Sequence, residues 1–206
     1  MESSQNTSIE LENSIIESLK DLNLNSKIEN KGTGAGGAGT NKNGLPYEEL
    51  TDLRDKYVVN ENHEHFKQIS FNLNPDKAFS LSKQSHLFKH MREHADEKIP
   101  KAHGAKNPDE CYIDENDKRI FIIEKKFQQS GGSVCEKIQT PDFKIWQYSR
   151  TFPDFKINYI YCLSIWFKEN CKAELQYLDY KNIKYFFGNG KNYKKEIIDL
   201  MINYKE

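Results

Sequence analysis

Long apolar runs are missing from this 206-residue chain. The nearest to one, residues 157–167, is broken by Asn158 and Ser164 and reaches about half the length that crosses a bilayer, so no membrane association is expected. The first six residues carry neither the basic nor the apolar stretch of a secretory leader, and a cytoplasmic location is expected. Charge of one sign is missing too. With 30 basic and 31 acidic residues the formal net charge is −1, so any surface for nucleic acid must be a local one. Cysteine is scarce. Cys111, Cys135, Cys162 and Cys171 form no Cys-x-x-Cys pair, which excludes a zinc ribbon and a dense disulfide framework and predicts reduced thiols. Cys111 and Cys162 stand in apolar runs and read as buried, inert groups.

What is present is a polar but globular composition. Hydrophobic residues make up 36% and charged ones 30%, while 12% aromatic content is too high for a disordered chain. The length fits a single domain spanning residues 1–206. Ile9, Leu11, Ile15, Ile16, Leu19 and Leu22 share one face of a helix ending near Asn23. Residues 31–44 hold six of the eleven glycines and read as a loop. Pro46 at a first turn predicts a helix over 46–57, then a strand over 69–73 and a helix over 76–94. Strands are expected at 110–113 and 119–127, joined by the turn 114–117. Ser133 with Glu136 forms a capping box for a helix over 133–152, bent at Pro141. Strands at 157–165 and 184–187 and a helix over 193–204 close the chain. Alternating strands and helices predict an α/β fold with a mixed central β-sheet flanked by helices.

One constellation carries chemistry. Pro108-Asp109 precedes the first strand of the hairpin, and Glu124-Lys125-Lys126 ends the second, with fourteen residues between Asp109 and Glu124. Side chains two apart on a strand share a face, so Glu124 and Lys126 project together, and the hairpin returns them beside Asp109. Two carboxylates and an ammonium converging in this way suit a hard divalent cation such as Mg²⁺, which takes oxygen ligands. Such an ion activates water and neutralises charge developing on a phosphodiester, while Lys126 orients or deprotonates that water and stabilises the phosphate. Charges on a strand flanked by Phe121, Ile122, Ile123 and Phe127 are costly unless used or paired, which favours function over a solvated face.

This arrangement resembles the motif of the PD-(D/E)XK nucleases, the superfamily of most type II restriction endonucleases. Pro-Asp also occurs at Pro75, Pro141 and Pro153, but only Asp109 is followed by strand, turn, strand and Glu-x-Lys. Two longer stretches are similar to segments of one group of restriction endonucleases. Residues 34–48 run Gly-Ala-Gly-Gly-Ala-Gly-Thr-Asn-Lys-Asn-Gly-Leu-Pro-Tyr-Glu. Residues 121–129 run Phe-Ile-Ile-Glu-Lys-Lys-Phe-Gln-Gln, followed by Gly-Ser-Val-Cys-Glu-Lys-Ile-Gln-Thr at 132–140.

The resemblance implies a restriction-endonuclease-like fold and a single nuclease domain. It makes Asp109 and Glu124 metal ligands, offers the Lys125 carbonyl as a third, and makes Lys126 the catalytic lysine, with Mg²⁺ as cofactor and Mn²⁺ as substitute. An extra acid on the entering helix falls at Glu48, with Glu49, about 100° away, as the competing candidate. The implied activity is sequence-specific cleavage of double-stranded DNA by a homodimer, with a cognate DNA methyltransferase as functional partner. A junction-resolvase-like or repair nuclease and a DNA-binding module without turnover are the alternatives. The Gln-x-x-x-Tyr element of exonuclease-like relatives is absent, since Gln139 is followed four residues later by Phe143.

DNA contacts are expected from Lys42 and Asn43 in the glycine-rich stretch, from Lys101 and Lys106 in a basic loop, and from Lys137 and Gln139. The glycine-rich stretch, which matches no nucleotide-binding loop, reads equally as a linker or as a loop that orders on phosphates. His86, His90 and His94 recur every four residues and read as a polar helix face rather than a zinc site. Trp146, Tyr148, Trp166, Phe186 and Phe187 read as core. The N-terminal helix or the C-terminal helix supplies the apolar surface for the expected dimer.

Overall fold

The computed structural model describes residues 37–94, 106–129 and 135–204. These build helix α1 (Gly37–Leu50), strands β1 (Tyr57–Asn62), β2 (Lys67–Phe71) and β3 (Asn74–Ser82), and helix α2 (His86–His94). After them come β4 (Glu110–Asp114), β5 (Arg119–Lys126), α3 (Pro141–Thr151), β6 (Lys156–Leu163), α4 (Trp166–Asn170), α5 (Lys172–Tyr180), β7 (Lys184–Phe187) and α6 (Tyr193–Ile202). The strands form one seven-stranded sheet in chain order, β1 to β7. β1 to β5 are antiparallel neighbours, whereas β6 and β7 join in parallel, β5 to β6 through α3. A parallel join needs a crossover, and helices supply both.

Alternation along the central strands divides the core in two. Ile120 and Ile122 of β5, with Cys111 and Ile113 of β4, face Leu87 and Met91 of α2, Tyr148 of α3 and Leu175 and Leu178 of α5. Phe121 and Ile123, with Tyr112, face Leu53 and the α6 residues Ile197, Ile198 and Met201. Fully burying each such side chain stabilises the fold by about 1.5–3 kcal/mol. The mixed α/β sheet with helices on both faces is as expected. Among the described residues no helix is long and apolar enough to cross a membrane.

Several local expectations are corrected. The helix expected over 76–94 is two elements: β3, then α2 after a turn in which Gln84 takes a φ of 53°. Phe79 and Leu81 obey the strand period of two, and only Leu87, Phe88 and Met91 follow the helical one. The helix expected over 46–57 starts at Gly37, holds Pro46 inside it and stops at Leu50. It stops because Asp52 Oδ1 accepts the Arg54 N–H at 2.7 Å, and β1 then starts at Tyr57. β1 was not expected, since its Asn60, Glu61 and Asn62 are exposed polar residues of an edge strand. Pro141 begins α3 instead of bending a longer helix, as a residue without an N–H suits the first turn. The helices α4 and α5 were also not expected.

Cys135 and Cys171 are joined in a disulfide with their Cα atoms 5.6 Å apart, contrary to the expectation of four free thiols; Cys111 and Cys162 are free and buried. His90 is fully buried, edge-on to Phe66, so the histidines do not form one polar face. Trp146 is 54% exposed and leaves the expected core. The helix expected at 9–23, residues 31–36, Lys101 and the rest of the loop to 105, and the Ser133 cap lie outside the described residues.

Candidate active site

β4 starts and β5 ends at the same edge of the sheet, with Glu110 opposite Ile123. Asp109 therefore reaches the end of β5, where its Oδ2 accepts the Lys125 backbone N–H at 2.8 Å. The Lys126 ammonium lies between the two expected carboxylates, 2.6 Å from Glu124 Oε1 and 3.8 Å from Asp109 Oδ2. It also donates to the Lys125 carbonyl at 3.2 Å. Asp109, Glu124 and Lys126 are thus brought together as the strand alternation requires.

α1 adds the fourth group. Glu48 is half-buried and lies within the field of Asp109, Lys126, Lys125 and Glu124, whereas Glu49 is exposed. Of the two acids, Glu48 is the one placed beside Asp109 and Lys126. Two contacts hold α1 there. The Lys125 ammonium donates to the Glu48 carbonyl at 2.9 Å, satisfying a last-turn acceptor of the helix. Tyr47 packs its hydroxyl directly over Gly188, where any side chain would collide with it.

The electrostatics divide the acids. Burial, and then the Asp109 charge, push the Glu48 carboxyl up to about 7. Burial also raises Asp109, against the pull of Lys126 and with the help of Glu124. Glu124 is held below its ordinary value: burial acts upward, but Lys126 and Lys144 outweigh it. Lys126 is raised, because Glu124 and Asp109 overcome its own burial. Without a cation beside them, Glu124 is a carboxylate and Lys126 an ammonium, while Glu48 exchanges a proton near neutral pH.

Lys144 was missed from sequence. It donates to Glu124 Oε1 at 2.8 Å from α3, on the same stripe as the buried Tyr148, Thr151 and Phe152. A lysine at a core-stripe position of the helix following Glu-x-Lys is the signal that could have found it. Tyr148, one turn on, donates its hydroxyl to the Lys106 carbonyl at 2.8 Å and so pins the chain approaching Asp109.

The opposite face of the same strand ends carries a second ionic cluster. Glu110, fully buried, accepts the Tyr112 hydroxyl at 2.5 Å on Oε1 and forms an ion pair through Oε2 with the Lys125 ammonium, 2.8 Å away. Lys83 lies 3.9 Å from Glu110 and pairs closely with Asp52.

The oxygen set of Asp109, Glu124 and the Lys125 carbonyl fits a hard divalent cation in its chemistry. In this structure the Lys126 ammonium stands among these oxygens. The one group of three metal-binding side chains within 4.8 Å of each other among the described residues is Cys135, Cys171 and Glu174, whose sulfurs are already spent on the disulfide.

The expected DNA contacts are dispersed. Lys106 and Lys137 are exposed. Gln139 is exposed but bonded to Glu174 at 3.0 Å. Lys42 and Asn43 fall within α1 instead of a loop, with side chains outside the described set. The chain matches no family model, no curated protein and no solved structure.

Proposed function

We propose that this chain is a metal-dependent DNA endonuclease of the restriction type, with Asp109, Glu124, Lys126 and Glu48 as its cleavage site. The observation that carries the reading is the convergence of Asp109, Glu124 and Lys126 on one face of a sheet end, with Lys126 within 4 Å of both carboxylates.

Asp109 and Glu124, with the Lys125 carbonyl, would hold Mg²⁺ or Mn²⁺. When bound, the ion supplies charge neutralisation at the phosphodiester and lowers the pKa of a water. The residues do the rest. The Lys125 N–H fixes the Asp109 carboxylate through Oδ2. Lys126, kept protonated by its two acid neighbours, is suited to stabilise charge on the phosphate rather than to take a proton. Glu48, poised near neutrality, is the better base for the attacking water. Deprotonation by Lys126, one of the two roles the sequence suggested, is therefore not part of the proposal.

One site cuts one strand, so a double-strand cut calls for two sites, most simply in a twofold homodimer on a palindromic target. A DNA methyltransferase would then protect the host sequence in the cytoplasm. Incubating the purified chain with plasmid DNA and Mg²⁺ tests this. Discrete linear fragments are expected, with none in EDTA. Nicking confined to branched DNA would favour a repair nuclease, and retarded but intact DNA would favour a binding module.

A further inference from the structure

Lys144 occupies a position where a lysine is costly. Its side chain is 15% exposed, and it lies on the buried stripe of α3 beside Tyr148. Its ammonium lies 5.6 Å from the centre of the Tyr159 ring and 2.8 Å from Glu124 Oε1. An aliphatic residue would fill the same stripe without taking a charge out of water.

The oxygen it binds is shared. Glu124 Oε1 accepts Lys126 at 2.6 Å and Lys144 at 2.8 Å, so both its lone-pair positions are spent on ammonium groups. Two carboxylates, Asp109 and Glu124, stand against two ammonium groups, Lys126 and Lys144, with Glu48 beside them. A divalent cation approaching Glu124 either takes this oxygen from an ammonium or binds the second oxygen beside two like charges, and in both cases the ammonium groups oppose it. A phosphodiester arriving with it offsets part of that positive charge and offers a displaced ammonium a new partner. Lys126 is fixed close by through its own strand, whereas Lys144 reaches in from a separate helix on four rotatable bonds.

We propose that Lys144 is an exchangeable counter-ion of the site. It holds Glu124 when no cation is bound, competes with the divalent cation for that carboxylate, and passes to a DNA phosphate when cation and DNA bind together. Lys144 is in this sense a positioning residue, and the inference rests on the reading of Asp109 and Glu124 as cation ligands. It makes cation binding weak off DNA and strengthens it on DNA.

The test is calorimetric titration of the full chain with Mn²⁺, without DNA, for the wild type, Lys144→Met, Lys144→Gln and Asp109→Ala. Methionine keeps an unbranched apolar stem on the core stripe, and thermal melting confirms that each variant is folded. Both Lys144 variants should bind Mn²⁺ more tightly, on the order of tenfold, because the like charge that holds Glu124 is removed. Their affinity for an oligonucleotide duplex in Ca²⁺ should fall, and the linkage between cation and DNA binding should shrink. If Asp109→Ala loses Mn²⁺ binding but the Lys144 variants bind it as the wild type does, or more weakly, the counter-ion role is overturned and the site reading stands. If the wild type binds no Mn²⁺, with or without DNA, the site reading falls and this inference with it.

Discussion

Two acid–lysine clusters sit back to back at one end of the sheet, built from residues adjacent in sequence. Asp109, Glu124 and Lys126 occupy one face, and Glu110 and Lys125 the other. On the first face the side chains of Asp109 and Lys126 are 16% and 22% exposed, and a second cation, Lys144, reaches in from a helix. On the second, Lys125 and Glu110 are 3% and 0% exposed, and their partners are Tyr112 and the Glu48 carbonyl. The residue types are alike; access and slack are not. A closed, hydrogen-bonded pair can only hold structure in place, whereas a pair with room beside it can exchange partners. The closed pair also serves the open one, because Lys125 ties the helix carrying Glu48 to the strand carrying Glu124.

The comparison breaks most visibly in activity. Asp109→Asn, Glu124→Gln and Lys126→Ala should each lower plasmid cleavage by about a thousandfold or more at a temperature where thermal melting shows the variant folded, since they act where charge develops. A variant that cuts at the wild-type rate would remove its residue from the site.

The next effect is on stability. Lys125→Met leaves the buried Glu110 carboxylate with Lys83, 3.9 Å away, as its remaining cation and should cost up to about 3–5 kcal/mol in urea unfolding. Combining it with Glu110→Leu should recover most of that loss, because the buried charge goes too. Equal stability of wild type and Lys125→Met would mean the second face is no more structural than the first.

The smallest effect separates the acids by pH. A carboxyl raised from 4.5 to about 7 binds a proton in the folded state that the unfolded chain has released. Glu48 therefore subtracts stability as pH rises through that window. Glu124, held low, acts with the opposite sign: its contribution is present above its ordinary value and is lost as pH falls below it. In EDTA, melting curves of wild type and Glu48→Gln should diverge between about pH 4.5 and 7, the variant declining less. Parallel curves would mean that burial and the Asp109 charge do not raise the Glu48 carboxyl in the folded chain.

Much of this was legible in the sequence because strand geometry is simple. The alternation around Ile122, Glu124 and Lys126 fixes which side chains share a face, and the turn at 114–117 fixes the hairpin, so Asp109 had to return beside Glu124. What stayed hidden depends on elements far apart in the chain. Lys144 and Glu124 are twenty residues apart, and only packing of α3 on β6 joins them. The choice of Glu48 over Glu49 rests on the angle at which α1 lies, set by Lys125 and Gly188. Residues 76–82 pattern as helix only because Phe79 and Leu81 line up with the helical positions of α2 beyond the turn, although they belong to β3. The Cys135–Cys171 bond, closing 36 residues, has no local signature.

Strand order that follows chain order has a consequence for how the protein is made. No strand is threaded between two already in place, so during synthesis the sheet can grow at one edge by accretion, each arrival meeting a finished template. The antiparallel joins come first and need short connections. The two parallel joins come last, each waiting for a helical crossover and a longer loop to close. A nascent chain released as far as α3 would thus carry Asp109, Glu124, Lys126 and Lys144 before β6 has covered the open edge of β5. The groups assigned to chemistry are synthesised early, but the last quarter of the chain seats them: β6 carries α3 and its Lys144 to Glu124, and Gly188 receives Tyr47 of α1.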